Sequence, residues 1–413
     1  MAHNSSHTTR SASPSPEQPW LDGQRDALVR WTHRARQPHG FAWLDDDGVP
    51  DREKGVQTWI TARATHVAAL AHLHGDSTAG ELAEHGVRAL LDSLRDDQEG
   101  GWFARIAADG TPVSTDKAGY EHAFVLLAAA SATSAAVPSA NELLDRASRV
   151  VLDHFWDGEA GLCRESWDRS WRAAEPYGGA NSNMHMVEAF LATAAATGDT
   201  AWARRASRIA DFLIGEQARA HGYRLPEHYT PDWQVLPEYN RDRPDDPFRP
   251  YGWTPGHSIE WARLLVHLEA ALPDPGGELL DHAENLFATA VRHSWSRDGA
   301  EGFCYTLDWS DRPVVRLRMH WVAAEAAAAA EVLHRRTRRE RYRELAQHWW
   351  DHIRTHLVDG RGNWVHELGA DNQPSSVVWR GRPDVYHGYT AASLASGLRV
   401  PGYAIRSTGN WTD

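Results

Sequence analysis

The chain has 413 residues, of which 42% are apolar and 24% charged, so it can bury a large core and is not disordered. Its formal net charge of -13 argues against capture of nucleic acid or of an anionic membrane surface. Two cysteines are too few for a disulfide framework, and with no CxxC pair they favour a reducing, cytoplasmic compartment.

The chain begins with a segment rich in Ser, Thr, His and Pro, which we interpret as a disordered leader over residues 1–18. It lacks the apolar centre of a signal peptide. No later run approaches the roughly 18 apolar residues of a membrane helix, so we expect no membrane partner. Residues 19–410 are predicted to form one catalytic domain.

That domain contains a repeat, in which a glycine followed by a short alternating aromatic stretch recurs six times. Successive glycines are 61, 60, 61, 80 and 60 residues apart, which indicates a repeat architecture. The stretches end in turn residues and read as short strands. The six glycines are Gly40, Gly101, Gly161, Gly222, Gly302 and Gly362.

Each glycine segment is followed by a helical stretch that is apolar on most sides, such as TWITARATHVAALAHL from Thr58. A second, more charged amphipathic helix then precedes the next glycine. One buried and one half-exposed helix per repeat predict an all-α (α/α)6 barrel of six helical hairpins, with short β-hairpin segments at its mouth. The 80-residue spacing reflects an insertion around residues 230–250, a loop long enough to act as a lid.

Polar residues sit where the apolar helices begin, and those helix starts converge at one mouth. A polar residue in an Ala/Leu helix is costly without a partner or a task. Histidines recur at this level, and imidazole can accept and return a proton near neutral pH. His257 and Glu260 are three residues apart and share a helix face, as do His185 and Glu188. Arg63 offers a cation for a developing oxyanion.

Each of these residues also has an ordinary structural interpretation. A helical His-x-x-Glu pair is commonly a plain ion pair, and Trp59 or Trp321 is commonly a core residue. His66, His122 and His320 read as packing or supporting groups. Converging histidines leave a zinc or manganese site conceivable, although no HExxH motif is present, and we predict no metal and no cofactor.

Five segments together resemble the N-acylglucosamine 2-epimerase superfamily, which includes mannose isomerases, sulfoquinovose isomerases and cellobiose 2-epimerases. The similarity spans nearly all of the chain after the leader. It looks most like the bacterial D-mannose isomerases, with sulfoquinovose isomerases close. The segments are QTWITAR from Gln57, PYGGANSNMHMVEAFLA from Pro176, PYGWTPGHSIEWARLL from Pro250, MHWVAAEA from Met319 and VWRGRPDVYHGYTA from Val378.

The resemblance implies an (α/α)6 barrel that needs no metal or nucleotide, acting on a monosaccharide as a monomer or homodimer. It implies that His257 and His387 form the acid/base pair, with Glu260 supporting His257. D-mannose and D-fructose would interconvert through an enediol. The residues expected to bind the sugar are Arg63, Trp59, Tyr120, Asn181, His185, Glu188 and Trp321.

Other functions remain open at this point. Sulfoquinovose isomerases and 2-epimerases of the cellobiose or N-acylglucosamine type use the same proton-transfer chemistry. Glycoside hydrolases also use six-hairpin rings, with two carboxylates flanking the scissile bond, and Glu121, Glu188, Glu260 and Asp384 are nominees for such a pair. A non-catalytic sugar-binding barrel is a third alternative.

Overall fold

The structure is a computed structural model that describes residues 17–406. The predicted leader lies outside the described residues except for its last two, and Gln18 already begins the first helix. The predicted end of the domain at residue 410 also lies outside them. Within residues 17–406, no helix combines the length and apolar character that crossing a membrane requires.

Twelve α-helices alternate between an outer and an inner layer over the described part of the chain. The even-numbered helices are buried on nearly every side, as their Ala/Leu-rich sequences predict. In chain order the helices are α1 Gln18–Ala35, α2 Thr58–Leu73, α3 Ala79–Arg88, α4 Gly119–Ser134, α5 Ala140–Val150, α6 Ala180–Thr197, α7 Thr200–Ala210, α8 Pro255–Ala271, α9 Leu279–Ser294, α10 His320–Thr337, α11 Glu340–His352 and α12 Tyr386–Ala395.

The inner helices form a closed ring, because each contacts the next and α12 contacts α2. Five outer helices pack on the inner helix that precedes them, and α1 packs on α12, so the sixth hairpin joins the two ends of the chain. The predicted (α/α)6 barrel is thus confirmed. Four outer helices, α3, α5, α7 and α11, widen into terminal π-helical turns at Ala89–Ser93, Val151–Phe155, Asp211–Ala218 and Ile353–Leu357.

Short antiparallel strands connect each outer helix to the next inner helix. All six repeat glycines have φ between 64° and 143°, which explains the residue type at these turns. The strands are β1 Arg36–Gln37, β2 Gly40–Phe41, β3 Val56–Gln57, β4 Arg105–Ile106, β5 Pro112–Ser114, β6 Lys117–Ala118, β7 Trp156–Asp157, β8 Leu162–Cys163, β9 Ser166–Trp167, β10 Gly178–Gly179, β11 His228–Tyr229, β12 Thr306–Leu307, β13 Pro313–Val315, β14 Arg318–Met319 and β15 Glu367–Leu368.

These strands join neighbouring repeats around the mouth. β3, β6, β10 and β14 each run directly into an inner helix and pair with a strand of the following repeat, namely β4, β9, β11 and β15. The last repeat joins the first in a similar way, because the backbone N–H of Arg382 donates to the carbonyl of Leu44 at 2.8 Å. This ladder holds the N-terminal ends of the inner helices in a fixed mutual geometry.

Candidate active site

A pocket that holds about 640 Å³ of empty space, open solvent at its entrance included, lies where the inner helices begin. Nine of the ten residues predicted for the site line it, and Glu188 does not. The nine are Trp59, Arg63, Tyr120, Asn181, His185, His257, Glu260, Trp321 and His387. Six repeats far apart in sequence therefore place their polar residues around one space.

His257, at the start of α8, is held by a carboxylate from the glycine segment that precedes this helix. Its Nδ1 lies 3.0 Å from both oxygens of Glu227, which precedes β11. The sequence predicts Glu260 for this role. Glu260 shares the helix face with His257, but its Oε1 lies 3.9 Å from His185 and 3.6 Å from Arg263. The imidazole also stacks on Trp321, with ring centroids 5.3 Å apart.

His387, on α12, has an equivalent environment. Its Nδ1 lies 2.8 Å from Oε1 of Glu325, and its Nε2 lies 3.7 Å from Asp384. The Trp321 ring is 5.6 Å from the His387 ring, so this indole contacts both histidines. Burial holds the pKa of His387 well below the usual 6.5, and the ring is therefore neutral at physiological pH.

Arg63, on α2, supplies the positive charge of the cavity. Its guanidinium donates to Asp384 at 2.8 Å and to the Tyr120 hydroxyl at 2.9 Å. It lies over four aromatic rings, that of Phe124 at 4.1 Å and those of Trp59, Tyr120 and Tyr386 within 5.7 Å. Although burial alone would lower its pKa, Tyr120 and Asp384 raise it, so Arg63 stays charged.

Glu260 faces the cavity with neither carboxylate oxygen in a hydrogen bond to the protein. Burial raises the pKa of this carboxyl well above its ordinary value, and the neighbouring Glu325 and Glu188 add to the effect. This shift favours the protonated form of the group. A buried carboxylic acid of this kind can donate a hydrogen bond to a substrate oxygen.

A buried ionic network lies behind the cavity wall, centred on Arg263. Its guanidinium donates to Glu325 at 2.8 Å and lies 3.5 Å from Glu188 and 3.6 Å from Glu260. Glu188 belongs to this network, where its other oxygen lies 3.6 Å from Nδ1 of His185. The prediction that Glu188 contacts the sugar is therefore not supported by the geometry.

At the cavity, two triads could offer ligands to a metal ion, with donor atoms within 4.8 Å of one another: His185 with Glu188 and Glu260, and Glu260 with Glu325 and His387. Arg263 lies among the three carboxylates of these triads and already provides them with a counter-charge. A metal bound there would have to compete with that guanidinium.

Aromatic residues form the rim of the mouth. Phe248 of the insertion packs edge-on against Trp59, Tyr120 and Trp379, with centroids 5.4 to 6.3 Å apart. The loop is tied down by Arg249, which makes a bidentate ion pair with Glu175 at 2.6 and 2.9 Å. The insertion is thus one wall of the cavity. Its action as a lid stays a prediction.

Sequence reasoning missed several residues of the site. Glu227 lies in a glycine segment, where helical spacing gives no signal. Glu325 and Asp384 are carboxylates near the starts of inner helices. No sequence pattern pairs Glu325 with His387 or Asp384 with Arg63. His320 does line the cavity, stacked on His366 with centroids 3.9 Å apart. The other lining residues are Pro247, Phe248, Tyr305, His366, Trp379, Pro383 and Asp384.

The sequence matches the N-acylglucosamine 2-epimerase (GlcNAc 2-epimerase) family over residues 40–391, which is most of the chain and, apart from the last four residues of α12, all six inner helices. The chain belongs to this family. Membership agrees with a cavity built from histidines and carboxylates at inner-helix starts, and it confirms the resemblance seen in the five sequence segments.

Within the family, the chain is similar to two D-mannose isomerases. It is 57% identical to that of Thermobifida fusca, over 91% of this chain and 93% of that protein. It is 45% identical to that of Pseudomonas cannabina pv. alisalensis, over 95% of each. A crystal structure of D-mannose isomerase superposes with a TM-score of 0.86 at 27% identity, covering 93% of this chain and 99% of the other.

Proposed function

We propose that this protein is an aldose–ketose isomerase that interconverts D-mannose and D-fructose by proton transfer. The observation that carries the proposal is the pair His257 and His387, which lie on separate repeats. Each imidazole has a carboxylate at Nδ1, and both rings contact the Trp321 indole. The two similar D-mannose isomerases support the choice of sugar.

The carboxylates define how the histidines act. A carboxylate at Nδ1 favours the tautomer that carries its proton there, which leaves the Nε2 lone pair free to take a proton. One histidine removes the C2 proton of the ring-opened aldose, which gives an enediol. Return of a proton to C1 gives the ketose, and return to C2 gives the epimer or the starting sugar. His257 and His387 are assigned as this pair.

Two other residues stabilise or neutralise the charge that develops on the sugar oxygens. Arg63 stays cationic and stabilises the oxyanion that develops as the C2 proton leaves. Glu260, whose pKa burial raises, gives a proton to the carbonyl oxygen O1 as the enediol forms, and its carboxylate then takes the proton from O2 as the C2 carbonyl of the ketose forms. We assign Trp59, Tyr120, Asn181, His185 and Trp321 to sugar binding, since all five line the cavity.

The charge of the cavity favours a neutral sugar over a sulfonated one. Among the described lining residues, Arg63 is the one arginine or lysine, and Asp384 lies 2.8 Å from it. A sulfonate would need a cation whose charge is not already balanced. This observation favours mannose over sulfoquinovose.

A panel of free sugars tests the proposal. D-mannose, D-glucose, cellobiose, N-acetylglucosamine and sulfoquinovose are each incubated with the protein, and ketose and epimer are measured by NMR. We expect fructose from mannose as the fastest reaction. Faster epimerisation of cellobiose or N-acetylglucosamine, or release of a sugar by hydrolysis, would replace the assignment.

We further propose that the reaction needs no metal and runs in the cytoplasm. Arg263 supplies the counter-charge that a cation would otherwise give to the buried glutamates. Exhaustive treatment with a chelator should leave the rate of mannose conversion unchanged. A loss that added Zn²⁺ or Mn²⁺ restores would contradict this.

A further inference from the structure

The chain does not end with the last inner helix, and the segment after α12 returns to the barrel. Backbone contacts hold it there: the carbonyl of Arg399 lies 2.8 Å from Nε2 of His74, and the carbonyl of Ala404 lies 3.0 Å from Nδ1 of His267. A Cβ on Gly402 would lie 2.6 Å from the backbone nitrogen of Ala192, so this segment packs directly on α6.

This C-terminal segment, residues 396–406, buries one aromatic side chain. Tyr403 is 5% exposed, and its ring stacks on His267 with centroids 4.7 Å apart and planes 9° apart. The Arg263 guanidinium carbon lies 4.8 Å from the centroid of the same ring. The Tyr403 hydroxyl donates to Oε1 of Glu188.

Tyr403 therefore contacts Arg263 and Glu188, two charged residues of the ionic network that lies outside the cavity wall. Through Arg263 it connects to Glu325 and then to Nδ1 of His387, over hydrogen bonds of 2.8 Å each. Through Glu188 it connects to His185, which lines the cavity. Tyr403 itself does not line the cavity, so it acts through these neighbours.

We propose that Tyr403 is a positioning residue for the reaction, and that the C-terminal segment that carries it is needed for full catalytic activity. The ring covers Arg263 and excludes water from the ionic network, and the hydroxyl donates, together with that of Tyr386, to one oxygen of Glu188. Together they hold Glu325 where it orients His387. The kinetic part of this inference rests on the proposed function.

Tyr403→Phe is the direct test, because it removes the hydroxyl and keeps the ring. Tyr403→Leu removes both. Tyr342→Phe is the matched control: Tyr342 is also buried, and its hydroxyl donates to Glu284 on the outer helix α9 rather than to the network. We expect Tyr403→Phe to lower kcat roughly tenfold with KM within about twofold, Tyr403→Leu to lower it further, and the control to match the parent protein.

A second readout does not depend on activity. In protein labelled with ¹⁵N-histidine, the His387 ring signals are assigned by their loss in His387→Asn. Tyr403→Phe should move these signals and shift the pH profile of kcat, whereas a purely structural role would lower only the melting temperature. Parental kcat and unmoved His387 signals in Tyr403→Phe would overturn the proposal. Failure of the parent protein to isomerise mannose would instead refute the proposed function, and the His387 signals would still test the positioning role.

Discussion

At the scale of single residues, the account depends on which carboxylate orients which histidine. Two glutamates from neighbouring repeats hold the two imidazoles, Glu227 for His257 and Glu325 for His387. Glu227 reaches His257 from the glycine segment of the same repeat and Glu325 reaches His387 from the preceding repeat, so neither pair is visible as a helical i, i+3 spacing. The pattern that the sequence did show, His257 with Glu260, describes a shared helix face rather than a hydrogen bond.

The Glu227 assignment predicts a graded effect on catalysis. His257→Asn removes the acid/base group and should lower turnover of mannose by roughly two to four orders of magnitude. Glu227→Gln leaves the imidazole in place but weakens its orientation, so its loss should be intermediate, about 10- to 100-fold. His348→Asn, on the exposed face of α11, serves as control. Parental kcat in Glu227→Gln would remove this glutamate from the mechanism.

At the scale of elements, the backbone that enters each inner helix matters as much as the helix. The segment before α8 is held by a pair of hydrogen bonds between Trp253 and Leu307, of 2.9 and 3.1 Å. Gly252 precedes this pair with a φ of 89°, and a Cβ there would lie 2.1 Å from the Leu307 carbonyl oxygen. Only glycine fits this approach, and it sets the position of His257 five residues later.

Gly252→Ala should therefore lower the free energy of unfolding by about 1–3 kcal/mol and reduce activity as well. Gly277→Ala is the matched control, because a Cβ at Gly277 meets nothing within 4 Å. Urea unfolding of both variants measures the difference. Equal stability of the two would show that the backbone can relax at Gly252 without cost.

The elements were predictable to the extent that they are periodic. Inner and outer helices follow from apolar spacing, and the repeat follows from glycines at turns with positive φ. The sixth outer helix was harder, because α1 packs on α12 from the other end of the chain. Glu227 and Tyr403 were missed for a related reason. Both act across long sequence separations from non-helical segments, where no period marks them.

At the scale of the whole molecule, the barrel buries an unusual number of ionisable groups. Burial lowers the pKa of many histidines, to about 4 for His66, His185 and His320 and to about 3 for His122 and His267. Such groups are neutral in the folded protein but bind a proton below pH 6.5 once the chain unfolds.

This arrangement predicts that stability falls on acidification. Between pH 6.5 and about 4 the unfolded chain binds more protons at each of these histidines, so the free energy of unfolding decreases as the pH is lowered, by up to about 1.4 kcal/mol per pH unit for each group. Buried Glu121, whose pKa burial raises to about 7, acts in the opposite direction, as does Glu260, but they are fewer. Urea unfolding between pH 4.5 and 7.5 checks the sign. A free energy of unfolding that is flat or rises toward pH 4.5 would contradict it.

The central claim is that two histidines move a proton between C2 and C1 of the sugar. Conversion of D-mannose in deuterated water tests it most directly, with the product followed by NMR. Proton transfer through the histidines predicts deuterium at C1 of the fructose formed and, on reversal, at C2 of the recovered mannose. A hydride shift would give the opposite results and contradict the account. Fructose formed from unlabelled mannose in deuterated water would then carry no deuterium at C1, and [2-²H]mannose in ordinary water would pass its label quantitatively to C1 of fructose.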